Sequence, residues 1–175
     1  MIAYESALCN TALDDQEERM AKLKPGDTAP DFSLLDQRGK HVTLKSFKGK
    51  HVVVYFYPKA DTPGCTTQSC AIRDAMPDLK KLKAAAIGIS PDAPDKQRKF
   101  DEKHRLGFPL LADEDHKVAR AWGVWGKKSM YGREFMGIIR SAFVLDPTGK
   151  VVDAFYKVSP KNTVPKVAAA LEGRD

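Results

Sequence analysis

The stretch HVVVYFYPKADTPGCTTQSCAIRDAM, residues 51–76, changes character twice. Residues 52–57 form an unbroken β-branched and aromatic run that Pro58 closes. Such a run, with no polar alternation, marks a strand covered on both faces. Pro63-Gly64 then breaks the chain, and helix-compatible sequence begins at Cys65 and continues through CAIRDAMPDLKKLKA. Cys65 therefore falls where a strand gives way to a helix. The first turn of a helix offers unpaired N–H groups and a partial positive charge, and both favour a thiolate over a thiol. Thr62, three residues earlier, is placed to present a hydroxyl to the same pocket, and Pro58 to shield it from water. The competing reading is a buried, inert cysteine at a helix start. The Thr62-Pro63-Gly64 lead-in favours the reactive one.

Working outward, GDTAPDFSLLDQRGKHVTL (26–44) has a turn at Arg38-Gly39 between short alternating segments, which predicts a small N-terminal hairpin. Downstream, AAIGIS (85–90) is an apolar strand ended by Pro91, PDKQRKFDEKHRL (94–106) a polar helix and FPLLAD (108–113) a short strand. EDHKVARAWGV (114–124) reads as a helix with Val118, Ala121 and Trp122 on one side. SAFVLDPTGKVVDAFYKV (141–158) predicts a hairpin turning at Asp146-Pro147-Thr148-Gly149. SPKNTVPKVAAALEG (159–173) closes as a helix whose start Pro165 sets near Thr163 or Val164. The order β-α-β, then β-β-α, with one inserted β-α unit, predicts an α/β, thioredoxin-like fold: a central mixed sheet flanked by helices, with the hairpin at its N-terminal end.

Residues 1–20 differ from the rest. Their LDDQEER segment is polar and acidic, and Cys9 reads there as a spectator thiol. This tail is either a short helix or a remnant of an upstream start, and residues 21–175 form one domain. The N-terminus lacks the basic start and apolar block of a secretory signal, and no apolar run approaches the roughly 18 residues that span a bilayer. The expected location is cytoplasmic. Three cysteines, an odd number, argue against a structural disulfide framework there. The net charge of +6 comes from lysines scattered over turns and helix faces, so a solvated surface is preferred to a nucleic-acid interface. None of the four histidines has metal-ligand spacing with the cysteines, and neither a metal nor a cofactor is expected. The segment WGVWGKKSMYGREFMG (122–137) is rich in Trp, Met, Tyr and Phe yet broken by glycines. It is expected to pack beneath a loop, with docking of a protein reductant as the second reading.

PKADTPGC (58–65) fits the PxxxTxxC signature of the peroxiredoxins, and YFYPKADTPGCTTQSCAIRD (55–74) closely resembles their Q-type, or bacterioferritin-comigratory-protein, branch. The resemblance extends from GDTAPDFSLLDQ to GVWGKKSMYGREFMGIIRSAFVLD and spans roughly residues 24–172. It implies a thiol peroxidase of hydrogen peroxide and organic hydroperoxides, with Cys65 as the peroxidatic residue and Cys70 as the resolving one. Thr62 and Arg140 are the implied active-site partners, and thioredoxin or a similar dithiol the implied reductant. From the residues alone, Arg140 reads equally well as a surface arginine with a carboxylate neighbour. Peroxide cleavage moves charge along the S–O–O line, and fixed donors such as the Thr62 hydroxyl, the helix N–H groups and the Arg140 guanidinium would stabilise it.

The implied pairing of Cys65 with Cys70 has a geometric consequence. Five residues along an α-helix separate the two Cα atoms by about 8.6 Å, whereas a disulfide tolerates roughly 7 Å. Helical phase puts Cys65 between Ile72 and Met76 on the core side and points Cys70 about 160° from Ile72. The first turns must therefore unwind on oxidation, and Thr66, Thr67, Gln68 and Ser69, weaker helix formers than Ala or Leu, suit that. Pro77 is expected to kink or end the helix. An intramolecular pairing removes the need for a dimer, and a monomer is expected. Two rivals remain: a general thiol–disulfide oxidoreductase, which would normally carry CxxC, and a non-catalytic thioredoxin-like binding module.

Overall fold

The apolar run after His51 becomes strand β3 (His51–Phe56), the spine of the sheet. Its side chains alternate between two cores, Val53, Tyr55 and Tyr57 on one face and Val52, Val54 and Phe56 on the other. The computed structural model describes residues 22–173; the N-terminal tail, with Cys9, lies outside them. Strands β1 (Ser33–Asp36), β2 (His41–Thr43), β4 (Ala84–Ser90), β5 (Leu110–Ala112), β8 (Ser141–Leu145) and β9 (Val151–Phe155) join β3 in one sheet ordered β2-β1-β5-β4-β3-β8-β9. β3, β4 and β5 run parallel, and the flanking pairs are antiparallel. This is the mixed thioredoxin-like sheet, with the N-terminal hairpin stitched to its edge through β1 and β5.

Four helices flank it: α1 (Pro63–Lys81), α2 (Pro94–His104), α3 (Lys117–Ala121) and α4 (Thr163–Glu172). Ile72 and Leu79 of α1, Phe100 of α2, and Val167 and Leu171 of α4 fill the core on the Tyr55 face. Val118, Ala119 and the fully buried Trp122 fill the other, with Ala29 and Phe32. The hairpin turn at Asp146 is fixed by that carboxylate, which accepts from the N–H of Thr148 and of Lys150.

The structure departs from the sequence expectation in three respects. α1 starts at Pro63, with Thr62 as N-cap, because a proline at the first helical position loses no hydrogen bond. It also continues through the exposed Pro77, which faces solvent rather than stopping the helix. The aromatic and methionine-rich segment is a separate two-stranded ribbon, β6 (Trp125–Met130) and β7 (Arg133–Ile138), and not a segment packed beneath a loop. Tyr131 and Gly132 both have positive φ (52° and 75°), the two-residue turn that matches the twist of a hairpin. Met130, Tyr131, Phe135 and Met136 are exposed on it.

Candidate active site

Cys65 sits in the first turn of α1 and is 1% exposed. Above it lies Arg140, the second of the two residues, Ile139 and Arg140, that link β7 to β8. The main chain on either side is pinned: Ile139 N–H donates to the Val124 carbonyl at 2.7 Å, and Val158 N–H to the Arg140 carbonyl at 2.9 Å. The half-buried guanidinium donates through Nη2 to Cys65 Sγ at 3.4 Å and through Nη1 to Gln68 Oε1 at 2.7 Å. Among the described residues no carboxylate forms an ion pair with Arg140. The surface-arginine reading thus lacks its carboxylate. The guanidinium is instead aimed at the sulfur, where it can stabilise negative charge that develops there.

Gln68, which the sequence reading passed over, is fully buried and orders this arrangement. Its Nε2 donates to Thr163 Oγ1 at 3.0 Å, and that hydroxyl donates to the Ser159 carbonyl at 3.0 Å. The relay runs from the start of α4 to the guanidinium and fixes its plane. The available signal was spacing, since residues three apart on a helix share a face. Gly64 has a local reason too: a Cβ there would stand 3.0 Å from Arg140 Nη2, so a side chain would crowd the guanidinium off the sulfur.

Thr62 is half-buried at the N-cap, but its hydroxyl donates to the Lys59 carbonyl at 2.8 Å and caps no helix N–H. Its proton is committed, leaving the oxygen's lone pairs available as acceptors. Pro58 is half-buried at the exit of β3, at the head of the same loop. That loop is held from two sides. Ala60 N–H donates to Asp92 Oδ2 at 2.7 Å, and Asp61, in the left-handed region at φ 61°, takes Lys103 at 2.9 Å and His104 Nε2 at 3.0 Å. These two donors, Lys103 first, hold the Asp61 carboxyl below its usual range.

Cys70 is free, as is Cys65, and it lies on the same unbroken helix, half-buried against the core. Two further side chains enter the surroundings of Cys65. Lys128, on β6, is half-buried, and burial, then the charge of Arg140, pulls its ammonium below the usual lysine value, while Cys65 opposes that shift. Tyr55, on β3, points its hydroxyl at Ser69 Oγ, 2.8 Å away, in the fully buried layer beneath α1. No group of three or more His, Cys, Asp or Glu that could hold a metal ion occurs among the described residues.

A thioredoxin-like sheet presenting a buried thiol at a helix N-terminus, beneath a guanidinium that donates to its sulfur, defines a thiol-based redox protein. Residues 25–154 match the AhpC/TSA family. The chain is 52% identical over 143 residues to Peroxiredoxin Bcp of Escherichia coli K12, a match covering 82% of this chain and 92% of that protein. Its fold superposes on the crystal structure of peroxidoxin BcpB from Mycobacterium tuberculosis with a TM-score of 0.78 at 37% identity, over 87% of this chain and 99% of that one. The Xanthomonas campestris bacterioferritin comigratory protein, solved in trapped-intermediate and ligand complexes bearing on its alkyl peroxide reduction activity, gives a TM-score of 0.78 at 36% identity over 87% and 96%. The chain belongs to the AhpC/TSA family and is a peroxiredoxin, a thiol peroxidase. The resemblance read in PKADTPGC is thereby borne out for family and fold.

Proposed function

We propose that Cys65 is the peroxidatic residue, Cys70 the resolving residue, and Arg140, Thr62 and Pro58 the supporting active-site residues. The observation that carries the proposal is the 3.4 Å contact from Arg140 Nη2 to Cys65 Sγ, made by a guanidinium with no carboxylate partner among the described residues. The cation and the helix N-terminus stabilise negative charge on sulfur. The thiolate attacks one peroxide oxygen: an S–O bond forms, the O–O bond breaks, and the other oxygen leaves as alkoxide or hydroxide and takes a proton. Arg140 and the first-turn N–H groups stabilise the charge as it moves along that line. The Thr62 oxygen, with its own proton on the Lys59 carbonyl, accepts the O–H of the incoming hydroperoxide and orients it. Pro58 limits water at the mouth of the loop.

The sulfenic acid then condenses with Cys70 and releases water. Both thiols sit on an intact helix that holds their Cα atoms about 8.6 Å apart, so residues from Cys65 to Cys70 unwind for the bond to form. The resulting disulfide is returned to two thiols by thioredoxin or a similar dithiol protein. Resolution within one chain lets a monomer complete the cycle, and we assign the protein to the cytoplasm, where such reductants operate. No helix among the described residues is long and apolar enough to cross a membrane.

Stopped-flow peroxide reduction by the wild type, Cys65→Ser and Cys70→Ser tests the assignment. The expected pattern is loss of peroxide consumption by at least about a thousandfold with Cys65→Ser, and, with Cys70→Ser, a normal first turnover followed by failure to form an intramolecular disulfide. Rapid disulfide exchange without peroxide consumption would instead support a general thiol–disulfide oxidoreductase.

A further inference from the structure

Tyr55 is a polar residue in a place built for an apolar one. It lies mid-strand in β3, fully buried between Tyr57 and Phe108, with ring centroids 5.5 and 6.2 Å away. Phenylalanine would supply the same packing. The hydroxyl is nevertheless accommodated at some cost to its neighbours. Position 88 in the adjacent strand β4 is glycine, and a Cβ there would stand 2.8 Å from the Tyr55 hydroxyl oxygen, 2.9 Å from its ring carbon Cζ and 3.0 Å from Leu110. The space left by Gly88 admits the end of the Tyr55 ring with its hydroxyl, which reaches Ser69 Oγ at 2.8 Å. Ser69 is also fully buried, and it lies in α1 between Cys65 and Cys70. Burial pushes the Tyr55 phenol above its ordinary range, and charge on either thiol would push it the same way. The phenol therefore stays neutral and remains able to donate or accept.

The segment that must open for Cys70 to reach Cys65 is thus tied to the sheet by a buried side-chain hydrogen bond. We propose that the Tyr55–Ser69 hydrogen bond is a latch on the cysteine-bearing turns of α1, and that it sets the rate at which the Cys65 sulfenic acid is resolved by Cys70. Neither residue touches the peroxide; both are positioning residues. The proposal rests on the assignment of Cys70 as the resolving residue. With the latch closed, the sulfenic acid persists beside Arg140 and is exposed to a second peroxide, which oxidises it to the sulfinic acid and is itself reduced to water or alcohol. With the latch open, Ser69 and Tyr55 meet solvent, the turns unwind, and the thiol of Cys70 displaces hydroxide from the Cys65 sulfur, its proton leaving with that hydroxide as water. Latch strength therefore divides the intermediate between the disulfide and the over-oxidised form.

The test is a double-mutant cycle on the full chain with Tyr55→Phe, Ser69→Ala and both together. After one equivalent of hydrogen peroxide, disulfide formation is followed by stopped-flow fluorescence and quenched mass spectrometry. Tyr55→Phe leaves a buried serine hydroxyl unpaired in the closed state only, so resolution is expected to accelerate about 5- to 10-fold, the factor one net hydrogen bond represents in an opening equilibrium. Sulfinic acid on Cys65 at excess peroxide should fall in parallel, while the preceding peroxide-consuming step keeps its rate. Ser69→Ala should act in the same direction but less, because alanine is the better helix former. The double substitution leaves neither partner unpaired, so it should lie nearer the wild type than Tyr55→Phe does. Equal resolution rates in all four proteins, with Cys70→Ser abolishing the disulfide, would overturn the latch alone. A disulfide that survives Cys70→Ser would overturn the assignment on which it rests. A Tyr55→Phe protein that slows both steps and loses helix by circular dichroism would show a merely structural role and would also overturn it.

Discussion

The two halves of α1 are held to the body of the protein by different forces. From Cys65 to Ser69, apart from the buried Cys65 side chain, the attachments are polar and few: Arg140 to the sulfur and to Gln68, Gln68 to Thr163, and Ser69 to Tyr55. From Ile72 to Leu79 they are apolar, with both of those side chains buried in the core shared with Phe100, Val167 and Leu171. Hydrogen bonds are directional, break singly and are replaced by bonds to water, so a segment held by them opens at modest cost. Apolar burial gives no such exchange: each large side chain withdrawn from the core forfeits about 1.5–3 kcal/mol. The helix thus combines an end held by few polar contacts, where the proposed opening toward Cys70 would occur, with an end anchored in the core. Pro77 lies in the anchored half, exposed, where the missing N–H affects neither thiol.

The largest effect that tests this contrast comes from removing the cation over the polar end. Arg140→Ala takes away a donor to the sulfur and leaves Gln68 Oε1 without its 2.7 Å partner. The peroxide-consuming step should slow about 100- to 1,000-fold, the usual cost of removing a donor aimed at developing charge, while the melting temperature falls by only a few degrees for the buried amide oxygen left unpaired. Rates measured under single-turnover conditions decide this. An Arg140→Ala protein that consumes peroxide at the wild-type rate would remove the guanidinium from the chemistry.

The next effect compares the halves directly. Leu79→Ala opens a cavity in the core and should cost about 2–5 kcal/mol in chemical denaturation, with peroxide reduction in the folded fraction unchanged. Gln68→Ala should cost less, about 1–3 kcal/mol for the buried groups left unpaired, yet it should impair peroxide reduction because Arg140 loses the residue that fixes its plane. If Leu79→Ala proved the more damaging to catalysis and Gln68→Ala to stability, the division of labour along the helix would be wrong.

How far these parts were legible in the sequence follows the same division. The strand run at 52–57 and the turn residues at Asp146–Gly149 are local signals, and each produced the expected element, whereas the helix expected from Cys65 starts two residues earlier, at Pro63. The Cys65–Arg140 contact spans 75 positions and was accessible only through family resemblance. Gln68, Thr163, Tyr55 and Gly88 were missed because each is ordinary in its own segment and gains meaning only from a partner on another element. The β6–β7 ribbon was misread for a related reason. Its apolar content suggested burial, but the tight turn at Tyr131-Gly132 and the pairing of Trp125 through Met130 with Ile138 through Arg133 make it a separate ribbon, packed on the core at its Trp125–Ile138 end and exposed toward its tip.

The smallest expected effect lies just ahead of the polar end, at Asp61, whose carboxylate ties the loop before Thr62 to Lys103 and His104. Those donors depress its pKa from an ordinary value of 3.8. The sign follows: a carboxyl with a depressed folded-state pKa adds stability that is fully present above the unfolded value and is lost as pH falls through the folded one. The contribution of Asp61 should therefore be constant from about pH 5 upward and vanish in the acid range below the ordinary carboxylate pKa. Hydrogen exchange on the amides of residues 65–69 and 72–81 in the wild type and in Asp61→Asn resolves where it acts. At neutral pH the substitution should speed exchange at 65–69 and leave 72–81 alone; near pH 3 the two proteins should approach each other. Equal acceleration of both halves would mean that α1 opens as one unit, and the contrast between its polar and apolar ends would carry no dynamic consequence.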